Sequence, residues 1–230
     1  MLNSRFSQIE MPERIKTLLV SKQGIPVPWF VQWLYPDGRP AKAGATGALP
    51  EFRIMDEDKR IKAIEEGRCW ICGHKLEFML AFVAGPMCAV NRASSEPPSH
   101  RECAEYSVKA CPFLVMPKMV RRENDLPENH SPGGMMCPRN PGVAMIWMTK
   151  DYRVVPAYNG YVIRMGDPLR VLWFAEGRQA THDEVKQSIE DSIPILAEAV
   201  LIEFPDPNEQ AEARRDLETQ LARVAKLMPR

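Results

Sequence analysis

Cys69-Trp-Ile-Cys72-Gly73 and, further along the chain, His100-Arg-Glu-Cys103 are the two stretches that say most about how this sequence folds. In each stretch, two residues with soft metal ligands are separated by two others, so that a tight turn or one helical turn aims both side chains at one point. Two such pairs are typical of a tetrahedral zinc site. The sequence therefore predicts a closed, structural zinc site formed by four residues, namely Cys69, Cys72, His100 and Cys103.

The other cysteines leave alternatives open. Cys88 could replace His100 as a ligand, and a buried cysteine cluster without metal also fits the pattern, because a thiol packs as a small apolar group. Cys111 lies about two helical turns beyond Cys103, which is too far for the same ion. Cys111 and Cys137 are therefore interpreted as ordinary thiols. A second metal site would need four irregularly spaced residues, namely Cys88, Cys111, Cys137 and His130.

The residues around the two ligand pairs predict the order of a treble-clef zinc module. Segments 77–84 and 87–91 are apolar and are predicted to be two strands joined around Gly85-Pro86. A polar, proline-broken loop follows, and a helix is predicted from Ser99 or His100 to Ala110. His100 and Cys103 would share one face of the first helical turn. A cysteine knuckle, a hairpin and a helix with two further ligands make up a treble clef.

Several motifs resemble those of a family of uncharacterised phage and bacterial proteins. They are R-C-W-I-C-G at 68–73, A-F-V-A-G-P-M-C-A-V-N-R at 81–92, E-P-P-S-H-R-E-C-A at 96–104, A-C-P-F-L at 110–114 and W-F-A-E-G-R-Q-A-T-H-D-E-V at 173–185. The resemblance covers roughly residues 25–200 and implies a phage or prophage setting, without a mechanism. The two ligand pairs are also similar to those of the first zinc finger of LIM domains, which supports the same ligand set.

The composition of the 230 residues is that of a soluble globular protein, with 45% hydrophobic and 26% charged residues. The net charge of +0 gives no global positive field, so any binding of nucleic acid must be local. The most apolar run, 78–90, has about thirteen residues, fewer than the roughly twenty that cross a bilayer, so no membrane contact is expected. No secretion signal precedes Glu10, and a cytoplasmic location in a bacterial host cell is expected.

The predicted fold class is α+β, with small antiparallel sheets, helices and an inserted zinc module. Residues 1–66 are expected to form a helix and a β-hairpin, 67–112 the zinc module, 113–142 a proline-rich connector, 143–205 a sheet and helix in one body with 1–66, and 206–230 a final helix. Strands at 143–149, 160–165 and 169–175 are expected to pair as an antiparallel sheet, the last two joined by a turn at 166–168. Thr181 and Glu184 predict a capping box for the next helix.

The final helix carries a narrow apolar stripe of Leu217, Leu221, Val224 and Met228. A helix of about twenty residues must bury such a stripe to remain ordered. We expect the stripe to pack on the body of the same chain, and the alternative is a homodimer that forms through this helix.

Three functions are compatible with the sequence. The leading one is a zinc-stabilised accessory protein that binds nucleic acid or a protein partner, with phosphate contacts from Arg92, Arg101, Lys118, Arg121 and Arg122. An enzyme is the first alternative, with a polar site formed by Arg92, Glu96, Glu176 and Arg178. A structural subunit that assembles through the last helix is the second. The sequence has no glycine-rich phosphate loop and no serine-nucleophile elbow, and no catalytic residue is assigned.

Overall fold

A computed structural model gives the architecture of the chain and describes residues 8–116, 119–120, 140–157, 160–203 and 206–230. In these parts of the chain, helices and three small antiparallel sheets form an α+β fold, which confirms the predicted fold class. None of the helices within the described ranges is both long and apolar enough to span a membrane.

The N-terminal part of the fold is a short helix, a three-stranded sheet and a second helix. The sheet has the strand order β2-β1-β3. The elements are α1 (Glu13–Lys16), β1 (Val31–Leu34), β2 (Pro40–Ala41), β3 (Leu49–Met55) and α2 (Glu57–Glu65). The Asp56 side chain caps α2 by accepting a hydrogen bond from the Lys59 backbone N–H. Helix α2 then leads the chain directly to Cys69.

The main sheet combines strands that are distant in sequence. Its four antiparallel strands have the order β10-β9-β6-β4. They are β4 (Leu80–Ala84), β6 (Ala144–Thr149), β9 (Arg170–Ala175) and β10 (Arg178–Gln179). Strand β4, which belongs to the predicted zinc module, pairs along its whole length with β6. The metal-ligating segment and the C-terminal body therefore share one sheet.

Side chains alternate between the two faces of the main sheet, and both faces are covered. Met145 and Trp147 of β6 belong to the largest apolar cluster, whereas Ile146 and Met148 belong to a second cluster on the other face. Helix α4 (Arg101–Ala110) covers the second face and contributes its buried Ala104 and Val108. Because the alternate faces of β6 enter different clusters, all six of its residues are buried.

Helix α3 (Pro86–Asn91) follows β4 where a second strand was predicted, so the prediction of a hairpin at 77–91 is wrong. Pro86 is tolerated in the first helical turn, because its fixed φ suits a helix and its missing N–H has no partner there anyway. Pro86, Ala89 and Val90 are buried at helical spacing. A strand, a helix and a further two-residue strand (Ala93–Ser94) therefore separate the two ligand pairs, in place of the treble-clef hairpin.

A second sheet contains three short strands in the order β5-β8-β7. They are β5 (Ala93–Ser94), β7 (Tyr152–Ala157) and β8 (Gly160–Met165). The predicted pairing of 160–165 with 169–175 is wrong, because β8 pairs with β7 whereas β9 pairs with β6. The chain crosses between the sheets at Gly166, whose N–H donates to Asp151 O. A Cβ on Gly166 would lie 2.6 Å from that same oxygen, so this crossing requires glycine.

Two long helices complete the fold: α6 (His182–Glu203) and α7 (Pro207–Ala225). The predicted capping box is confirmed, because the Thr181 N–H donates to Glu184 Oε2 and the Glu184 N–H donates to Thr181 Oγ1. The apolar stripe of α7 packs into the largest cluster, where Val224 is 2% exposed and Leu221 is partly buried. The chain's own core therefore covers the stripe, as predicted.

Candidate metal centre

The four predicted ligands converge where α2 ends and α4 begins. Cys69 and Cys72 belong to the turn after α2, His100 is the N-cap residue of α4, and Cys103 lies in its first turn. The ligand atoms of the four residues all lie within 4.8 Å of one another, and all four residues are buried. The structure thus brings together the set that the spacing selected, and this buried group of three cysteines and one histidine fits a zinc site.

Backbone hydrogen bonds shape the turn that carries the first two cysteines. The Cys69 N–H donates to His74 O, and the Gly73 N–H donates to Cys69 O, both at 2.8 Å. The N–H groups of Cys72 and His100 donate to Cys69 Sγ at 3.5 and 3.4 Å. These two donors favour the thiolate form of Cys69, which is the form that binds a metal.

The imidazole of His100 is oriented to bind a metal through Nδ1. This atom lies 3.4 Å from Cys72 Sγ and 3.9 Å from Cys103 Sγ. On the other side of the ring, Nε2 lies 2.9 Å from the carbonyl oxygen of Lys75. When Nδ1 is the ligand atom, Nε2 carries the proton and donates it to this carbonyl, which fixes the orientation of the ring.

Hydrogen bonds within the cluster shift the pKa values of Cys69, Cys103 and His100. Burial raises the pKa of Cys69, but hydrogen bonds from Cys103 and the other two groups outweigh burial and hold this pKa well below its usual range. Hydrogen bonds to Cys69 and Cys72 raise the pKa of Cys103, and burial raises it further. Burial lowers the pKa of His100, yet hydrogen bonds to Cys69 and Cys72 bring it to about 10. Without a metal the group retains protons, which a bound cation would displace.

The N-terminal segment covers this cluster. Ile15 of α1 is buried in the same apolar cluster as the cysteine ligands. Arg14 forms ion pairs with Glu77 and, at 3.2 Å, with Glu102, and its Nη1 lies 2.5 Å from His100 Nε2. A guanidinium can only donate, so Arg14 would have to move away from Nε2 once that nitrogen carries the proton. Sequence reasoning missed Arg14, because 86 residues separate it from His100 and no local pattern marks the contact.

The remaining cysteines lie elsewhere. Cys88 is on α3 and packs against the largest apolar cluster, so the structure assembles His100, and not this alternative ligand, with the three cysteines. Cys111 lies between α4 and the short helix α5 (Pro112–Val115). Cys137 and His130, which were considered for a second metal site, lie outside the described residues.

The basic residues predicted to bind nucleic acid are only partly placed. Arg92 forms an ion pair with Asp167 at 2.8 Å, and Arg101 forms one with Glu105 at 2.7 Å. Both guanidinium groups thus already have a carboxylate partner. Lys118, Arg121 and Arg122 fall outside the part of the chain that the structure describes.

The residues proposed for an enzyme site lie in different surroundings. Arg178 forms an ion pair with Glu184 of α6 at 2.6 Å. Glu176 lines a groove beside α4 and the N-terminal segment, whereas Arg92 lines a separate cleft beside α7. The Glu96 N–H donates to Ser94 Oγ within its own loop. These groups are therefore divided between separate parts of the surface.

No family model matches the chain, and comparisons with curated proteins and with solved structures also find no match. The function is therefore argued from the chemistry of the metal centre and from the placement of charge.

Proposed function

We propose that the chain binds one structural Zn²⁺ ion through four residues, namely Cys69, Cys72, His100 and Cys103. The supporting observation is that four buried ligand atoms lie within 4.8 Å of one another. Thiolates and imidazole are soft ligands, which suit zinc better than magnesium or calcium. Four protein ligands complete a tetrahedral shell and leave no position for a substrate or a reactive water, which favours a structural role.

The apolar cluster around the ligands is small and separate from the clusters of the main sheet. Apart from the cysteines, its buried members are Ile15, Ile71, Tyr106 and Ala110. These few side chains bury only a small apolar surface, which contributes little to holding the N-terminal segment, the cysteine turn and α4 together. The free energy of metal binding would supply the difference, as it does in other small zinc modules.

Elemental analysis of the purified protein tests the zinc site. We expect about one zinc per chain, and a content well below this would overturn the proposal. Cys72→Ser and Cys103→Ser each replace a thiolate by a hydroxyl, and both should lose the zinc and melt at a lower temperature.

Cys88→Ser is the matched control. Because Cys88 packs against the largest cluster, this variant should keep its zinc. If the Cys88→Ser variant loses its zinc and the His100→Ala variant keeps it, the fourth ligand is Cys88.

We further propose that the protein acts by binding nucleic acid. Lys118, Arg121 and Arg122 follow the metal-ligating helix closely in sequence. On the second sheet, Arg153 and Arg164 are directly opposite each other on β7 and β8, and both are exposed. Like charges at such positions repel each other, and a phosphate group between them would remove the repulsion.

Gel retardation of DNA and RNA tests this role. The wild type should retard at least one of them at low salt, and its affinity should fall as salt rises. Two charge-reversal variants test the two basic groups: Lys118→Glu/Arg121→Glu/Arg122→Glu and Arg153→Glu/Arg164→Glu. The variant whose residues contact the nucleic acid should no longer retard it and should keep its zinc. A wild type that retards neither nucleic acid would contradict the proposal and would favour a protein partner.

A further inference from the structure

A cleft of about 370 Å³ lies between α3, the turn after β8 and the C-terminal end of α7. Its size is within the range of small-molecule sites. The residues that line it are Ala89, Arg92, Trp147, Asp167, Pro168, Gln220, Arg223, Val224, Lys226 and Leu227. The cleft contains none of the metal ligands.

The floor of the cleft is apolar. Pro168 and Leu227 are partly buried and leave apolar surface open to the cleft, above Ala89, Trp147 and Val224, which are at most 2% exposed and belong to the largest apolar cluster of the fold. The Trp147 ring is held in place, because its Nε1–H donates to Gly166 O at 3.0 Å. A preformed apolar floor favours the apolar body of a small ligand over water.

The rim of the cleft is positively charged. Arg92, Arg223 and Lys226 carry positive charge, whereas Asp167 is the single carboxylate among the lining residues, in a chain whose net charge is +0. Within the described parts of the chain, neither Arg223 nor Lys226 forms an ion pair, and Arg223 has only a 3.5 Å contact with Gln220. These two cations are therefore available to a ligand.

Arg92 is held in position at this rim. It forms an ion pair with Asp167, its guanidinium lies 5.8 Å from the centre of the Trp147 ring, and it contacts Met165 O at 3.4 Å. The Asp167 side chain is 93% exposed, so its separation from Arg92 would cost little. An anionic ligand could therefore take the place of this carboxylate.

We propose that this cleft binds a small organic anion, which has a phosphate or carboxylate group attached to an apolar body. The three cations on the rim would bind the charged group, and Pro168 and Leu227 on the floor would cover the apolar body. A bare inorganic anion would leave the floor uncovered. A neutral apolar compound would leave the rim charges without a partner.

The Trp147 indole N–H provides the measurement, in a nitrogen–proton NMR titration. Phenyl phosphate or benzoate should shift this signal saturably, and the tighter of the two identifies the charged group. Inorganic phosphate and benzyl alcohol should each bind more weakly, by on the order of tenfold or more, because each lacks one half of the interaction. Absence of a saturable shift, or equal binding of either half-probe, would overturn the proposal.

Charge reversal at the rim provides the second arm. Arg223→Glu/Lys226→Glu should weaken binding of the better probe on the order of tenfold or more, because both changed groups face the cleft. The control is Arg214→Glu/Arg215→Glu, which makes the same charge change at exposed positions of α7 outside the cleft. Arg223→Gln/Lys226→Gln, which adds no negative charge, should show a smaller loss. Equal losses in the control and the rim variant would show that net charge alone attracts the probe, which contradicts a built site.

Discussion

Gly73 shows how closely the metal centre depends on a residue without a side chain. Its φ is +75°, and a Cβ there would lie 2.6 Å from the Trp29 ring. Its N–H donates to Cys69 O, which closes the turn that aims both cysteines at the metal position. A side chain at Gly73 would therefore both strain the backbone and displace Trp29.

Gly73→Ala should lower both zinc affinity and stability. We expect a loss of roughly 3 kcal/mol, the sum of left-handed backbone strain and a clash with the Trp29 ring. Gly47→Ala is the control, because Gly47 has a φ of +81° and no neighbouring atom within 4 Å of the added Cβ. It should lose only about 1 kcal/mol. Chemical denaturation with parallel zinc analysis measures both, and equal losses would mean that Trp29 simply moves away.

The ligand set could be predicted at this scale, because each pair is made by a short stretch of chain. Cys69 and Cys72 share one turn, and His100 and Cys103 share the start of one helix. The Lys75 carbonyl and Arg14, which contact the other side of His100, could not be predicted. Those contacts depend on how distant segments pack, which no local spacing records.

The start of α6 shows what a single element can encode. Thr181 and Glu184 exchange hydrogen bonds, and Arg178 of β10 adds an ion pair to Glu184 at 2.6 Å. Glu184 accepts hydrogen bonds from the Arg178 side chain and from the Thr181 backbone N–H. Both lower the pKa of Glu184, the bond from Arg178 by more, and bring it to about 2. The capping interaction is therefore strongest when this carboxyl is ionised.

Glu184→Gln should lower stability by about 0.5–1 kcal/mol at neutral pH, since the side chain is partly exposed and the amide can still cap the helix. Because the folded pKa of Glu184 lies below its ordinary value of 4.5, the wild-type advantage should be complete above that value and disappear as the pH falls towards 2. Urea denaturation of both proteins at each pH measures the difference. Glu190→Gln, which removes only a 3.9 Å ion pair with Lys186, should show little loss. A pH-independent gap for Glu184→Gln would contradict this account.

Elements that have local signals were predicted, but the partner of β8 was not. The capping box of α6 lies at its predicted position. The run 87–91 was predicted as a strand from its apolar residues, although Pro86 at the first helical turn indicates a helix. Strand β8 was assigned to the wrong neighbour, because the pairing of β9 with β6 depends on the packing of the whole main sheet.

At the scale of the whole molecule, the main sheet joins parts of the chain that composition alone would separate. Strand β4 precedes the proline-rich segment and β6 follows it, yet the two pair along five residues of each strand. The apolar run of β6 indicates a strand buried on both faces. The apolar run does not indicate which elements cover the two faces. Those elements include α4, which precedes β6 in sequence, and α7, which follows it.

Helix α7 contributes to this core through one face, which gives the last prediction. Leu221 packs against the largest cluster beside the fully buried Val224, and the Trp173 Nε1–H donates to Leu227 O at 2.9 Å just beyond the helix. Leu221→Glu places a charge against this core, so we expect a loss of about 2–4 kcal/mol with no change of molecular mass.

The neighbouring Ala222 is exposed, so Ala222→Glu introduces the same charge on the same helix and should stay close to the wild type in stability. Thermal denaturation and light scattering together distinguish the outcomes. If the Leu221→Glu variant has half the molecular mass of the wild type, the stripe also holds two copies of the chain together. A Leu221→Glu variant as stable as Ala222→Glu would mean that α7 detaches from the core in solution, and the cleft that its C-terminal end helps to line would then be lost as well.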